Sequence, residues 1–185
     1  FGDDREAITD DGATFYNFAE PPTPTSGAQL AGLGFDGLND QVALPTWPIG
    51  GSVSFEFYLQ WRELKSWMRL LDFGAAFTGD SGSWQAQDNI VIFIGDVDAA
   101  DRRLAFEFYN DQTFAGGAQF DALQVGEWIH LLVVVDDAQN KAFIFKDGAV
   151  VASNALVAPL STRVRTHHHL GSNARADQAQ GSSGQ

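Results

Sequence analysis

Two glutamates sit alone in apolar runs, Glu56 between Phe55 and Phe57 and Glu107 between Phe106 and Phe108. Glycoside hydrolysis with retention of configuration needs two carboxyls about 5–5.5 Å apart on one face. Neither glutamate has an acidic residue two positions away, the spacing at which strand neighbours share a face. A pair would have to come from separate strands, so no catalytic residue is assigned. Oxygen ligands for a hard cation cluster twice. Asp96, Asp98 and Asp101 lie in the loop Gly95–Arg103, and Asp36, Asn39 and Asp40 lie in another. Neither is an EF-hand: counted from Asp96, Ala100 and Asp101 stand where an oxygen ligand and a glycine are required. Arg102 and Arg103 follow the first cluster and can neutralise it as a solvated turn, and Asx side chains in the second can bond their own backbone.

His167, His168 and His169 invite a metal, but adjacent strand residues point to opposite faces, so only His167 and His169 could share an ion. Two ligands make a poor site, and a solvent-facing strand end is expected instead. His130, beside Trp128, is expected to pack in the sheet. Sugar rings stack on aromatic faces fringed by amides and carboxylates. Three groups have that chemistry: Trp84 with Gln85 and Asp88, Tyr58 with Gln60 and Arg62, and Tyr109 with Asn110. The paired phenylalanines Phe55/Phe57 and Phe143/Phe145 are expected in the core.

The elements that must position these residues read as strands. Val53, Phe55, Phe57 and Leu59 alternate with Ser54, Glu56, Tyr58 and Gln60, the pattern of a half-buried strand. Ile129–Val135, Lys141–Lys146 and Ala149–Ala152 form a meander, with Asp147-Gly148 as a type I′ hairpin turn. Leu30–Leu44 reads as strand, turn, strand. Met68–Phe73, Asn89–Ile94, Leu104–Tyr109 and Phe114–Phe120 are further strands, and Arg163–Leu170 is one more. Only Arg62–Leu71 offers a competing helical turn. Residues 1–29 read as an acidic, Pro/Thr-rich leader with at most one short strand, 30–171 as the folded domain, and 172–185 as a polar, loose tail. The fold class predicted is all-β, a two-sheet antiparallel β-sandwich of jelly-roll type.

Composition narrows the partners. The 24 acidic residues against 11 basic ones leave a net charge of -13, a field that repels nucleic acid and anionic membranes. The chain has no cysteine, so disulfides, thiolate metal sites and a thiol nucleophile are ruled out. No apolar run reaches transmembrane length, and no membrane insertion is expected.

Four motifs in order carry a resemblance: Phe35-Asp36-Gly37-Leu38-Asn39-Asp40-Gln41-Val42, Gly51-Ser52-Val53-Ser54-Phe55, Gly126-Glu127-Trp128-Ile129-His130 and Phe143-Ile144-Phe145-Lys146-Asp147-Gly148. Together they resemble the laminin G-like branch of the concanavalin A-like lectin/glucanase superfamily. The resemblance implies the concanavalin A-like sandwich over roughly Leu30 to Gly171 and an extracellular or cell-surface setting. It further implies a non-catalytic module that binds a glycan or protein at the loop rim, with Ca²⁺ as the cofactor. The E-x-D-x-x-E strand of the superfamily's glucanases has no counterpart. Domains of this branch also carry a closing strand after the one ending at Leu170-Gly171, and nothing after Gly171 matches it. A further C-terminal segment, the Phe1–Phe18 region or a neighbouring chain would then complete the sheet. The alternative function is therefore an assembly module docking through an edge strand.

Overall fold

The computed structural model describes residues 7–8, 14–16, 33–35, 40–74, 88–95, 103–121 and 123–171. Among them are fourteen strands and no helix. The larger sheet contains β1 (Ala7–Ile8), β2 (Thr14–Tyr16), β3 (Gln41–Leu44), β6 (Arg69–Gly74), β7 (Ile90–Ile94), β8 (Leu104–Asn110), β9 (Thr113–Phe120) and β14 (His167–Leu170). Its order is β1-β2-β3-β14-β6-β7-β8-β9, antiparallel throughout. The smaller sheet contains β5 (Val53–Gln60), β10 (Trp128–Asp136), β11 (Lys141–Lys146) and β12 (Ala149–Ala155) in the order β12-β11-β10-β5. A short pairing of β4 (Pro48–Ile49) with β13 (Arg163–Val164) lies apart from both.

Period-2 patterning sets which face each strand buries. In β10, Ile129, Leu131, Val133 and Val135 are at most 2% exposed, while Trp128, His130, Leu132 and Val134 alternate with them on the outer face. Across the sandwich, Ile90, Ile92 and Ile94 of β7 and Leu104, Phe106 and Phe108 of β8 join them in one core. Burial of each such side chain contributes about 1.5–3 kcal/mol. Asp147 (φ 51°) and Gly148 (φ 80°) both take positive φ, as the type I′ turn between β11 and β12 demands. The all-β, two-sheet antiparallel sandwich expected from the sequence is the fold observed.

Several local expectations are corrected. The leader contributes two short strands rather than at most one, and β2 pairs with β3, lengthening the larger sheet at the edge beside β3. Leu33–Phe35 is not a strand, so only β3 of the two strands expected in Leu30–Leu44 is present among the described residues. Arg163–Leu170 divides into β13 and β14, and Arg62–Leu71 holds a turn and the start of β6 rather than helix. Phe143 and Phe145 are not core. The register places Ala142 opposite Val135 and Ile144 opposite Val133, so these two point inward and the phenylalanines outward. The histidine strand is not solvent-facing either: His168 and His169 are 1% and 5% exposed.

His168 points into the sandwich. Its ring stacks on Phe73 with centroids 4.3 Å apart, Trp47 meets it edge-on at 4.5 Å, and its Nδ1 lies 3.0 Å from the Pro45 carbonyl oxygen. Burial pulls its pKa down to about 4 from 6.5. The unfolded chain therefore binds more protons between pH 6.5 and pH 4, and stability falls as pH drops through that window. This group alone should remove roughly 2 kcal/mol by pH 5 and roughly 3 kcal/mol by pH 4. Urea unfolding at pH 7 and pH 5 checks this: His168→Phe should lose about 2 kcal/mol less than wild type over that step. Equal losses in the two proteins would refute the assignment.

Candidate functional site

One rim of the sandwich gathers the end of β5 and the start of β10 from the smaller sheet, and the end of β7 with the starts of β6 and β8 from the larger. The segment Trp61–Met68 crosses between the sheets there. Gly126 N–H donates to the Trp61 carbonyl (2.8 Å) at one end, and Ile94 N–H donates to the Met68 carbonyl (2.9 Å) at the other.

On the smaller-sheet side of this rim, Tyr58 and Trp128 share the outer face because each is out of phase with the buried residues of its own strand. Their rings stack, with centroids 5.1 Å apart and planes 13° from parallel, yet they remain 64% and 53% exposed. The result is an aromatic stack open to solvent, each ring turning one face to its partner and its remaining surface to water. Polar groups fringe it. His130 Nε2 lies 2.6 Å from Glu56 Oε1, Gln60 Nε2 donates to the Gly126 carbonyl (2.8 Å), and Lys146 Nζ donates to Glu127 Oε2 (2.8 Å). His130, expected to pack as a structural residue, is thus a surface group whose backbone N–H donates to Asp147 Oδ1 (2.9 Å). Phe143, Phe145 and Val150 continue the outer face towards β12.

A second stack lies across the rim. Trp67 is 55% exposed, and its ring rests on Phe93, centroids 6.0 Å apart at 19°. Phe93 belongs to the outer face of the larger sheet, since Ile92 and Ile94 beside it point into the core. The Arg69 guanidinium sits 4.8 Å from the same ring. Trp67 has φ 65°, a left-handed conformation that costs a bulky residue on the order of 1–3 kcal/mol.

The other residues considered from the sequence are dispersed. Asp88, Tyr109 and Asn110 lie at the start of β7 and the end of β8, the far end of those strands from the rim carrying Tyr58. Arg163 Nη1 donates to Asp88 Oδ2 and Asp111 Oδ1, both at 2.6 Å, and this guanidinium holds the Asp111 carboxyl below its ordinary pKa. The carboxylate of Asp88 also accepts the Asp111 N–H (2.8 Å), and Asn110 ties β8 to Pro159 (2.8 Å) and Ser161 (3.0 Å). Tyr109 donates to Glu107 (2.7 Å). Burial, and then the Glu107 contact, push its pKa above the ordinary value. Glu56 and Glu107 stand on the outer faces of different sheets and cannot flank one glycosidic bond. Asp40 is buried. Trp84, Gln85, Asp96, Asp98, Asp101, Asp36 and Asn39 lie outside the described residues. Among the described residues, no three His, Asp or Glu side chains are grouped to hold a metal, and no helix is long and apolar enough to cross a membrane.

Trp128 and Trp67 were not among the ligand residues expected from the sequence. Trp128 was legible in principle, because it falls out of phase with Ile129, Leu131 and Val133. Trp67 carries no sequence signal, since a positive φ at tryptophan cannot be read from residue type.

A laminin G family model, described as the concanavalin A-like lectin/glucanases superfamily, matches residues 35–184. No curated protein matches the chain. Among solved structures, the mouse laminin alpha1 chain, domains LG4-5, is similar at a TM-score of 0.51 and 14% identity, over 71% of this chain and 31% of that one. The chain thus spans under a third of that structure, and the likeness is one of fold. A carbohydrate binding module from Bacillus subtilis, CBM66, aligns at a TM-score of 0.44 and 12% identity, over 92% of this chain and 89% of that module.

Proposed function

We propose that this chain, which belongs to the laminin G family of the concanavalin A-like lectin/glucanases superfamily, is a non-catalytic module that binds a neutral glycan on the Tyr58–Trp128 surface. The observation carrying this reading is the parallel, solvent-open stack of the two rings. Large aromatic side chains left exposed side by side mark interaction sites. A sugar ring offers a flat C–H face to such a surface and hydroxyls to its polar fringe, here Glu56, His130 and Gln60. The net charge of -13 disfavours anionic polymers, leaving neutral glycans as the better match. The separation of Glu56 from Glu107 supports binding without hydrolysis. An exported or cell-surface setting suits such a module.

Calcium belongs to the same reading. Asp96, Asp98 and Asp101 fall in the segment whose ends, Gly95 and Arg103, are joined on this rim by a backbone hydrogen bond of 2.9 Å. Bound there, the ion would supply a hard Lewis-acidic contact for sugar hydroxyls.

A second reading, docking through an edge strand, draws on β12. It is an edge of the smaller sheet, carries no charged residue and is exposed along almost its whole length. One experiment weighs both readings: calorimetry of the wild-type chain against a panel of neutral oligosaccharides, in calcium and then in EDTA, with light scattering on the same sample. Glycan binding that weakens in EDTA is expected from a monomer. A chain that binds no member of the panel and self-associates would favour the edge-strand reading.

A further inference from the structure

We infer that Trp67 forms a second stacking subsite on the opposite side of the same rim, so that the ligand is a chain of sugar rings bent over the end of the sandwich rather than one terminal sugar. This rests on the carbohydrate reading of Tyr58 and Trp128. The two stacks lie on the outer faces of different sheets. The backbones of packed sheets are about 10 Å apart, and side chains projecting outward from each add to that, so a single ring cannot touch both surfaces. One continuous segment joins them: Trp61 is bonded to Gly126 beside the first stack, and Trp67 N–H donates to the Ile94 carbonyl (3.1 Å) beside the second. Between them Arg62, Glu63 and Lys65 are exposed and polar, suited to the hydroxyls of a chain passing over the rim.

Trp67 is built as a ligand surface in three respects. Its ring is more than half exposed, Phe93 supports it from beneath, and Arg69 Nη1 donates to its carbonyl (3.3 Å), fixing the turn. It also holds a backbone conformation that glycine would adopt more readily. A strained aromatic that leaves its outer face bare is poorly explained by packing alone, and strain of this kind clusters at ligand sites. Further along the same face, Gln119 on β9, opposite Ala105, accepts from Arg103 (2.6 Å), adding an amide and a guanidinium to the edge.

The test measures affinity against oligosaccharide length, from two to eight residues, for the neutral glycan the wild type binds best. Wild-type affinity should rise with length and then level off. Trp67→Ala should weaken the long oligosaccharides about 10-fold and leave the shortest unchanged, and Trp67→Phe should restore most of the loss. Trp67→Gly removes the ring while accepting the positive φ, so it should bind like Trp67→Ala with a melting temperature equal to or above that of wild type. It also keeps the test decisive if the alanine variant folds poorly. Affinity independent of length, or equal in wild type and Trp67→Gly at every length, overturns the second subsite. If the Tyr58→Ala/Trp128→Ala variant still loses binding in that case, the first surface stands alone. If no neutral oligosaccharide of any length binds the wild type, both readings fall.

Discussion

Removing both rings of the open stack, as Tyr58→Ala with Trp128→Ala, is expected to lower affinity for the bound neutral glycan about 100-fold, or roughly 2.7 kcal/mol. Each single variant should already lose about 30-fold, more than half of the double variant's loss in free energy. The two touch one another, so their effects should couple rather than add cleanly. The chain should remain folded. Both side chains are more than half exposed, and the residues beneath them, Ile129 and Leu131 on β10 and Phe57 and Leu59 on β5, keep their own packing. A melting temperature within a few degrees of wild type, with binding lost in calorimetry, is the expected outcome. Full affinity in the double variant would remove this surface from consideration.

Gly117→Ala should be among the most damaging single methyls added to the fold. Gly117 pairs with Glu107 across β8 and β9, and an added Cβ would stand 2.2 Å from the Phe106 carbonyl oxygen and 3.0 Å from the Glu107 Cα. These are backbone atoms of a central strand, so no side-chain rotation relieves the contact. Either β9 separates from β8 or the pairing slips, and Phe106 and Phe108 behind that seam lose their fit. A loss of about 3 kcal/mol or more follows, near the top of the range for overpacking. For a chain of this size that lowers the melting temperature by about 6–12 °C. Gly116→Ala, whose nearest contacts are the side-chain atoms of Phe108 (2.6 Å) and Leu156 (2.9 Å), should cost less because rings and methyls can shift. Thermal unfolding of the two variants side by side checks the ranking. A Gly117→Ala protein as stable as wild type would show that the close approach of β8 and β9 is not needed.

The strands were legible wherever one face is wet. β5 and β10 alternate so regularly that their outward residues, Tyr58 among them, follow from period 2 alone, while the pairing of the two strands does not. The Asp147-Gly148 turn was legible for a similarly local reason, because few dipeptides accept positive φ twice. The errors came where size or position competed with register. Phe143 and Phe145 look like core by volume, yet the hairpin turn and the pairing with β10 give the inner face to the smaller Ala142 and Ile144. His167–His169 reads as a polar end. In the fold it lies between β3 and β6, strands remote from it in sequence, and that placement buries His168 and His169. Trp67 was out of reach for another reason. Its role depends on a backbone angle and on a ring from β7, and neither leaves a trace in the sequence around it. For the candidate site, then, alternation points to Tyr58 of the open stack, and Trp128 stands in the sequence only as part of the Gly126–His130 motif.

The seating of β14 between β3 and β6 also bears on how the chain reaches this structure. β6 to β9 pair as successive neighbours, as do β10 to β12, so both meanders can form from local hairpins, which close in about 1–10 μs. The seams of β5 with β10 and of β14 with β3 and β6 cannot. Phe57 must find Leu131, and Ala43 and Asp72 must both find His169, between strands far apart in sequence. Closing loops of that length costs entropy before any contact across the seam is gained. The rate of assembly is therefore set by these long-range encounters, in the millisecond-to-second range typical of sandwiches rather than that of the hairpins they join.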